Sequence, residues 1–154
     1  MNQIQLSETD RLILRELTQD GRLPYKELSA RTGLPISTCH GRVRALERAG
    51  IIRGYRADVD PVAAGADVQA LISFTVRGSH RNLVPEVTAA LADIPGAQNV
   101  YLLGGDRDIV VHVACTSVAE LRSLISQHLG SNPTLDQTHT QIVFEHIRGK
   151  TPVV

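Results

Sequence analysis

The sequence predicts an α+β chain in two parts: a three-helix helix-turn-helix domain over residues 1–52 and a βαββαβ ferredoxin-like domain over residues 66–154, joined by an extended linker over 53–65. The second domain is expected as an antiparallel sheet with both helices on one face. Three observations carry this. Residues Pro24 to Ile52, PYKELSARTGLPISTCHGRVRALERAGII, read as a helix, a tight turn at Gly33 and a second helix loaded with arginine. Beyond Ala66 the apolar spacing changes from helical runs to short strands separated by helices. Charge is also polarised along the chain. From Arg31 to Arg56 stand Arg31, Arg42, Arg44, Arg48, Arg53 and Arg56 against Glu47 alone, 6 − 1 = +5. From Asp67 onward six basic residues face eight acidic ones, 6 − 8 = −2.

Ser7 reads as the N-cap of the first helix, with Asp10 placed three residues on to answer it and Glu8 and Asp10 complementing the dipole. Ile13, Leu14 and Leu17 then recur at helical spacing, and Asp20-Gly21 ends the helix. The second helix starts near Pro24, carries Leu28 inward and stops at Gly33. The third spans about Ile36 to Ala49, with Val43 and Leu46 towards the core and Ser37, Thr38, His40, Arg42, Arg44 and Arg48 on its other sides. Tyr55, Ala57 and Val59 alternate in a connector that ends at Asp60-Pro61. In the second domain the expected elements are a strand Val68 to Val76, a helix Asn82 to Asp93 with Pro85 in its first turn, and a strand Gln98 to Leu103. A strand Ile109 to Cys115 follows, then a helix Val118 to Leu129 opened by Ser117 with Glu120, and a last strand Thr138 to Ile147. One face of such a sheet is left bare, so association between subunits is expected.

At 154 residues with 42% apolar content the chain can build one ordinary domain or two small ones. It contains no apolar run of about 18 residues and its first ten residues lack the layout of a signal peptide, so a cytoplasmic location without membrane contact is expected. Cys39 and Cys115 lie far apart in unlike contexts and read as reduced structural thiols. His80, His112, His128, His139 and His146 show no metal-ligand spacing, and no nucleophile motif, phosphate loop or dinucleotide fingerprint is present. No metal, cofactor or catalytic group is therefore expected.

A net charge of zero argues, by itself, against a nucleic-acid partner, because phosphate affinity comes from Lys and Arg. The local excess between Arg31 and Arg56 reverses that conclusion. A reading helix reaches base edges with its N-terminal side chains while flanking cations hold phosphates. Ser37, Thr38, His40 and Arg42 occupy the position for groove contacts with double-stranded DNA, and Arg44, Arg48 and Arg53 that for phosphate contacts.

The segments LSETDRLILRELTQDGRLPYKELSARTGL and STCHGRVRALERAGIIRGYRADVDP carry the patterns D-R-x-I-L, D-G-R, E-L-x-x-R-x-G-L, R-V-x-x-L-E-x-x-G-I-I and G-Y-x-A-x-x-D-P. In these the chain resembles the Lrp/AsnC (feast/famine) transcription regulators over most of residues 6 to 61, without a gap. Two positions depart from the family pattern. Pro35 stands where a capping serine is usual, and Gly41 where a long side chain is usual, at a cost of about 1 kcal/mol in helix propensity relative to alanine. The resemblance implies that the linker pairs with its counterpart in a second subunit, and that the second domain binds a small effector, an amino acid. It also implies a homodimer that builds tetramers or octamers.

The stretch Leu103-Gly104-Gly105-Asp106-Arg107-Asp108 is the densest local signal in the rear domain. Two glycines permit unusual backbone angles and close approach of a ligand, and two carboxylates can receive an ammonium group; a plain hairpin with two solvated acids fits the same residues. It matches the family's T-G-x-x-D turn at Gly105 and Asp108, with Gly104 replacing the threonine. By resemblance, Leu103, Gly104, Gly105, Asp106 and Asp108 of this loop hold the effector between dimers together with Gln137, Thr138 and Thr140. Two other readings remain open on the sequence. One is an enzyme similar to the sirohaem decarboxylases, which share both domains with this family, using His112 and Arg107 on a tetrapyrrole. The other is an assembly module that partners another regulator.

Overall fold

A computed structural model describes residues 5–130, 132–147 and 149, which divide into two compact units, one formed mainly by residues 5–58 and the other by residues 59–146. The front unit holds three helices: α1 (Glu8–Gln19), α2 (Tyr25–Thr32) and α3 (Ile36–Arg48). At the start of α1 the Ser7 hydroxyl accepts the Asp10 N–H at 3.2 Å and the Asp10 carboxylate accepts the Ser7 N–H at 3.0 Å, the reciprocal box expected there. Gly33 ends α2 at φ 71°, a left-handed angle that favours glycine, and donates its N–H to Ser29 O at 2.9 Å. Ile13, Leu14, Leu23, Leu28, Cys39, Val43 and Leu46 form one buried cluster. Each large apolar side chain buried there contributes roughly 1.5–3 kcal/mol relative to exposure. Cys39 joins that core because it lies four residues before Val43 on the same face of α3.

The rear unit carries β1 (Val68–Val76), α4 (Val84–Ala92), β2 (Ala97–Leu102), β3 (Ile109–Cys115), α5 (Val118–Leu124) and β4 (Leu135–Val143). Its four strands run antiparallel in the order β2-β3-β1-β4, the βαββαβ arrangement that the sequence predicts. Alternation sends Ala70, Ile72, Phe74 and Val76 of β1 and Ile109, Val111, Val113 and Cys115 of β3 into one core with Val87, Leu91, Leu121 and Leu124 from the helices. The register places Leu71 beside His112 and Ser73 beside Val110, which in turn faces Tyr101, so these side chains share the other face of the sheet. Tyr101 is exposed there and Leu71, Val110 and His112 are half-buried. At the entrance to β2, Gly96 brings its backbone against β3: a Cβ on it would meet Ala114 O at 2.6 Å.

Three elements differ from expectation by more than a residue. The last strand begins at Leu135 and ends at Val143, not at Thr138 and Ile147. Leu135 is buried and pairs with Val76, while Val143 pairs with Gln69 near the first residue of β1, so the described residues from Phe144 to Ile147 find no strand to pair with. The helix expected from Asn82 starts at Val84 with Pro85 in its first turn, and Gly78–Leu83 before it is a 3-10 segment broken at His80. The helix expected to Leu129 is α-helical only to Leu124 and closes as a π-turn over Ile125–Leu129. Ser117 caps α5 by accepting the Glu120 N–H at 3.1 Å. The Glu120 carboxylate turns instead to the N–H and hydroxyl of Thr116 at 2.7 and 2.6 Å.

Candidate DNA-binding helix and effector loop

α3 begins after Pro35, which supplies no side-chain cap, so the first-turn N–H groups of the helix have no capping side chain as acceptor. On this first turn and the next, Ser37, His40 and Arg42 are exposed and Thr38 is half-buried, whereas Cys39 and Val43 point inward. The His40 ring packs edge-on against Tyr25 with centroids 5.0 Å apart, which fixes its direction from the neighbouring helix. Arg42 reaches Asp10 at 3.7 Å while remaining about half exposed. Burial of Asp10 pushes its pKa up, but the hydrogen bonds from Ser7 and the charge of Arg42 outweigh it, and the net shift is downward.

Arg44, Arg48 and Arg53 are exposed and form no ion pair among the described residues. The only acid on the arginine-rich stretch, Glu47, is engaged elsewhere: its carboxylate accepts the Tyr55 hydroxyl at 3.0 Å. Burial and the neighbouring Glu47 push the Tyr55 phenol up to about 12. The Tyr55 ring lies against Gly21, where an added Cβ would come within 3.2 Å of it, so the start of the connector is pinned to both the α1–α2 turn and α3. Sequence reading identifies Tyr55 only as part of an alternating pattern. Its spacing of eight from Glu47 is the signal that could have exposed the contact.

In the rear unit the loop between β2 and β3 and the start of β4 meet at one end of the sheet. β1 and β4 slip register between Ser73/His139 and Thr75/Asp136, so that Gln137 and Thr138 together oppose Phe74 in a bulge. Gln137 adopts φ 46°, the left-handed region in a residue other than glycine, and its carbonyl accepts an Arg107 N–H at 2.6 Å. The expected loop residues Leu103, Gly104, Gly105 and Asp106 are exposed, as are Gln137 and Thr138, and Thr140 is half-buried. Asp108 is placed differently from its neighbours. It is buried, its Oδ2 accepts the Val76 N–H at 2.7 Å and its Oδ1 accepts an Arg81 N–H at 2.9 Å. Its carboxylate holds the loop to β1 and to the Gly78–Leu83 segment, and so has little left with which to receive a ligand's ammonium group. Arg81 was not among the residues expected at this site, because nothing in the local pattern of Arg77 to Asn82 links it to a hairpin 27 positions away.

The two residues suspected of tetrapyrrole chemistry lie in separate hydrogen-bond networks. His112 bonds Gln69 Oε1 at 3.0 Å in the middle of β3, and Arg107 is committed to Gln137. Burial, then the charge of His146, holds the His112 imidazole below its ordinary pKa. Cys39 and Cys115 are both buried and free, and burial followed by the charge of Glu120 pushes the Cys115 thiol up. Among the described residues no cluster of three or more His, Cys, Asp or Glu is arranged to hold a metal ion, and no helix is long and apolar enough to cross a membrane.

Residues 6–53 match the family described as winged helix-turn-helix DNA-binding, and residues 69–153 match the Lrp/AsnC ligand binding domain. The chain is similar to the HTH-type transcriptional regulator AldR of Mycolicibacterium smegmatis, with 37% identity over 148 residues, covering 96% of this chain and 86% of that protein. The leucine-responsive regulatory protein of Escherichia coli is 31% identical over 149 residues, covering 97% and 91% of the two chains. Among solved structures, E. coli AsnC superposes with a TM-score of 0.81 at 28% identity over 96% of this chain and 98% of its own. A transcriptional regulator of Neisseria meningitidis solved as an L-Met complex gives 0.85 at 27% identity over 97% and 96%.

Proposed function

Because the chain belongs to the Lrp/AsnC family of DNA-binding transcription regulators, we propose that it reads specific DNA sites as a homo-oligomer under the control of an amino acid bound in its rear unit. The observation that carries the DNA part is the exposed set Arg44, Arg48 and Arg53, without an ion pair among the described residues, on and beside a helix whose first turn is uncapped. Ser37, Thr38, His40 and Arg42 enter the major groove and these three arginines hold phosphates on either side. Two copies related by a twofold axis present two such helices about one helical turn apart, which asks for a roughly palindromic site. The open sheet face, with Leu71, Tyr101 and Val110, supplies the surface over which the copies join, as a dimer that can assemble further into a tetramer or octamer. Such a regulator acts where the chromosome lies, in the cytoplasm.

The effector reading is supported by the exposed glycine-rich loop and the bulged start of β4, brought to one end of the sheet by the Arg107–Gln137 bond. One solved relative was crystallised with L-Met, and others are named for their response to leucine. Control needs no chemistry: an effector that binds one assembly or one helix spacing more tightly than another shifts the population towards it. Relatives over almost the whole chain are regulators, so the enzyme reading has no support beyond His112 and Arg107 as residue types.

The test is binding of the purified protein to a labelled fragment of its own upstream DNA at two salt concentrations, with and without the twenty amino acids. Salt-sensitive binding that shifts with the amino acids is the expected result. Binding insensitive to the amino acids removes the effector, and absence of saturable, salt-sensitive binding in every condition overturns the DNA-reading proposal.

A further inference from the structure

We infer that Arg81 is the carboxylate receptor of the effector site and that Asp108 is its positioning residue. This deepens the amino-acid reading above and rests on it. The Asp108 side chain is 9% exposed and that of Arg81 is 64% exposed, so the pair joins a buried anchor to a cation open to solvent. Both terminal nitrogens of the guanidinium face the anchor, Nη1 at 2.9 Å from Oδ1 and Nη2 at 3.5 Å from Oδ2. A guanidinium has five N–H donors in a rigid plane, so this edge-on contact leaves three of them for another acceptor. The remaining fork matches a second carboxylate in shape.

The anchor is itself fixed on three sides. Its Oδ2 takes the Val76 N–H at 2.7 Å, its own N–H goes to Phe74 O at 2.9 Å and its carbonyl accepts the Leu103 N–H at 2.7 Å. Arg81 is thereby aimed from the 3-10 segment beside the loop whose residues were assigned to the effector. With Asp108 spent, the exposed carboxylate of the loop is Asp106, which forms no ion pair among the described residues and is free to take a positive group. An open cationic fork beside the loop and the exposed Asp106 carboxylate on it suit a ligand that bears both a carboxylate and an ammonium, as an α-amino acid does. The charge of Asp108 offsets part of that of Arg81, so recognition rests more on hydrogen-bond direction than on net charge.

The experiment is calorimetric titration of the full chain at about pH 6.5 with each of the twenty L-amino acids and then with the α-carboxamide of every one that binds. The amino groups of both are protonated at that pH, so only the carboxylate differs. The carboxamide is expected to bind at least about tenfold more weakly. In the Arg81→Met/Asp108→Asn variant, which leaves no buried charge unpaired, that ratio should fall to about one. Arg81→Lys, which keeps the charge and loses the fork, should fall between, and it carries the test should the double variant not fold. A carboxamide that binds the unaltered protein as well as its acid overturns the assignment, as does an acid-to-amide ratio unchanged in the variants. Failure of every amino acid to bind the unaltered protein overturns the effector reading itself, a distinct outcome.

Discussion

The described arginines of the rear unit and those along and just after α3 stand in different surroundings. In the rear unit, Arg77 donates to Leu135 O at 3.5 Å, Arg81 to Asp108 at 2.9 Å and Arg107 to Gln137 O at 2.6 Å, so each ties one chain segment to another. In the front unit Arg31 pairs with Glu16 at 3.4 Å and Arg42 with Asp10 at 3.7 Å, but Arg44, Arg48 and Arg53 meet no acid among the described residues, and the nearby Glu47 is taken by Tyr55. An arginine tied to an internal oxygen builds a site. One left without an internal anion keeps its full attraction for an external one, and a row of them fits a polyanion such as the phosphate backbone. The same residue type therefore ties segments together at some positions and stands open to an external anion at others, and the distinction lies in what stands opposite.

This contrast is broken most directly at α3. Arg44→Ala/Arg48→Ala should weaken DNA binding by more than about tenfold and reduce the salt slope by about two for each reading helix engaged, with thermal stability unchanged. A large fall in melting temperature instead would show these arginines to be structural, and the contrast would collapse.

At the rear, Asp108→Ala should destabilise the unit by about 2–3 kcal/mol, since it leaves the buried Val76 N–H without an acceptor and frees the loop from β1. Denaturant unfolding measures this. A variant as stable as the parent would mean that Asp108 is no anchor and would return it to the direct ligand contact first expected of it.

The smallest effect sharpens the comparison at Asp10, an acid that the front unit spends internally. Its pKa is lowered in the fold, so the capping box contributes stability above the ordinary aspartate value of 3.8 and loses it as pH falls through the lower folded value. Asp10→Asn should therefore cost about 1 kcal/mol at neutral pH and flatten the acid limb of the stability profile below about pH 4. Parallel acid limbs for the two proteins would assign the pH dependence to another carboxylate.

Much of the molecule is legible from its residues. Ser7 and Asp10 make the predicted box, Gly33 makes the predicted turn, and the alternation of β1 and β3 predicts which side chains meet the helices. These features are local: a cap needs three residues, a turn needs a left-handed glycine, and strand alternation needs only a period of two. The six arginines against one acid can likewise be counted along the chain itself.

The rest depends on contacts between segments far apart in the chain. The resemblance sets Asp108 apart from Asp106 as a signature position, but nothing local shows that one is buried under Arg81 and the other exposed. The end of β4 falls four residues short of its expected place because a strand stops where its partner stops, and β1 sets that limit. The bulge at Gln137 likewise follows from how β4 must fit beside Phe74. What the sequence by itself determined is the two-part α+β plan, its caps and its polarised charge, since each is set by neighbours along the chain. Only the tertiary structure decided which charged groups neutralise one another and which remain free to bind, because pairing is settled by distances between residues that the chain brings together only on folding.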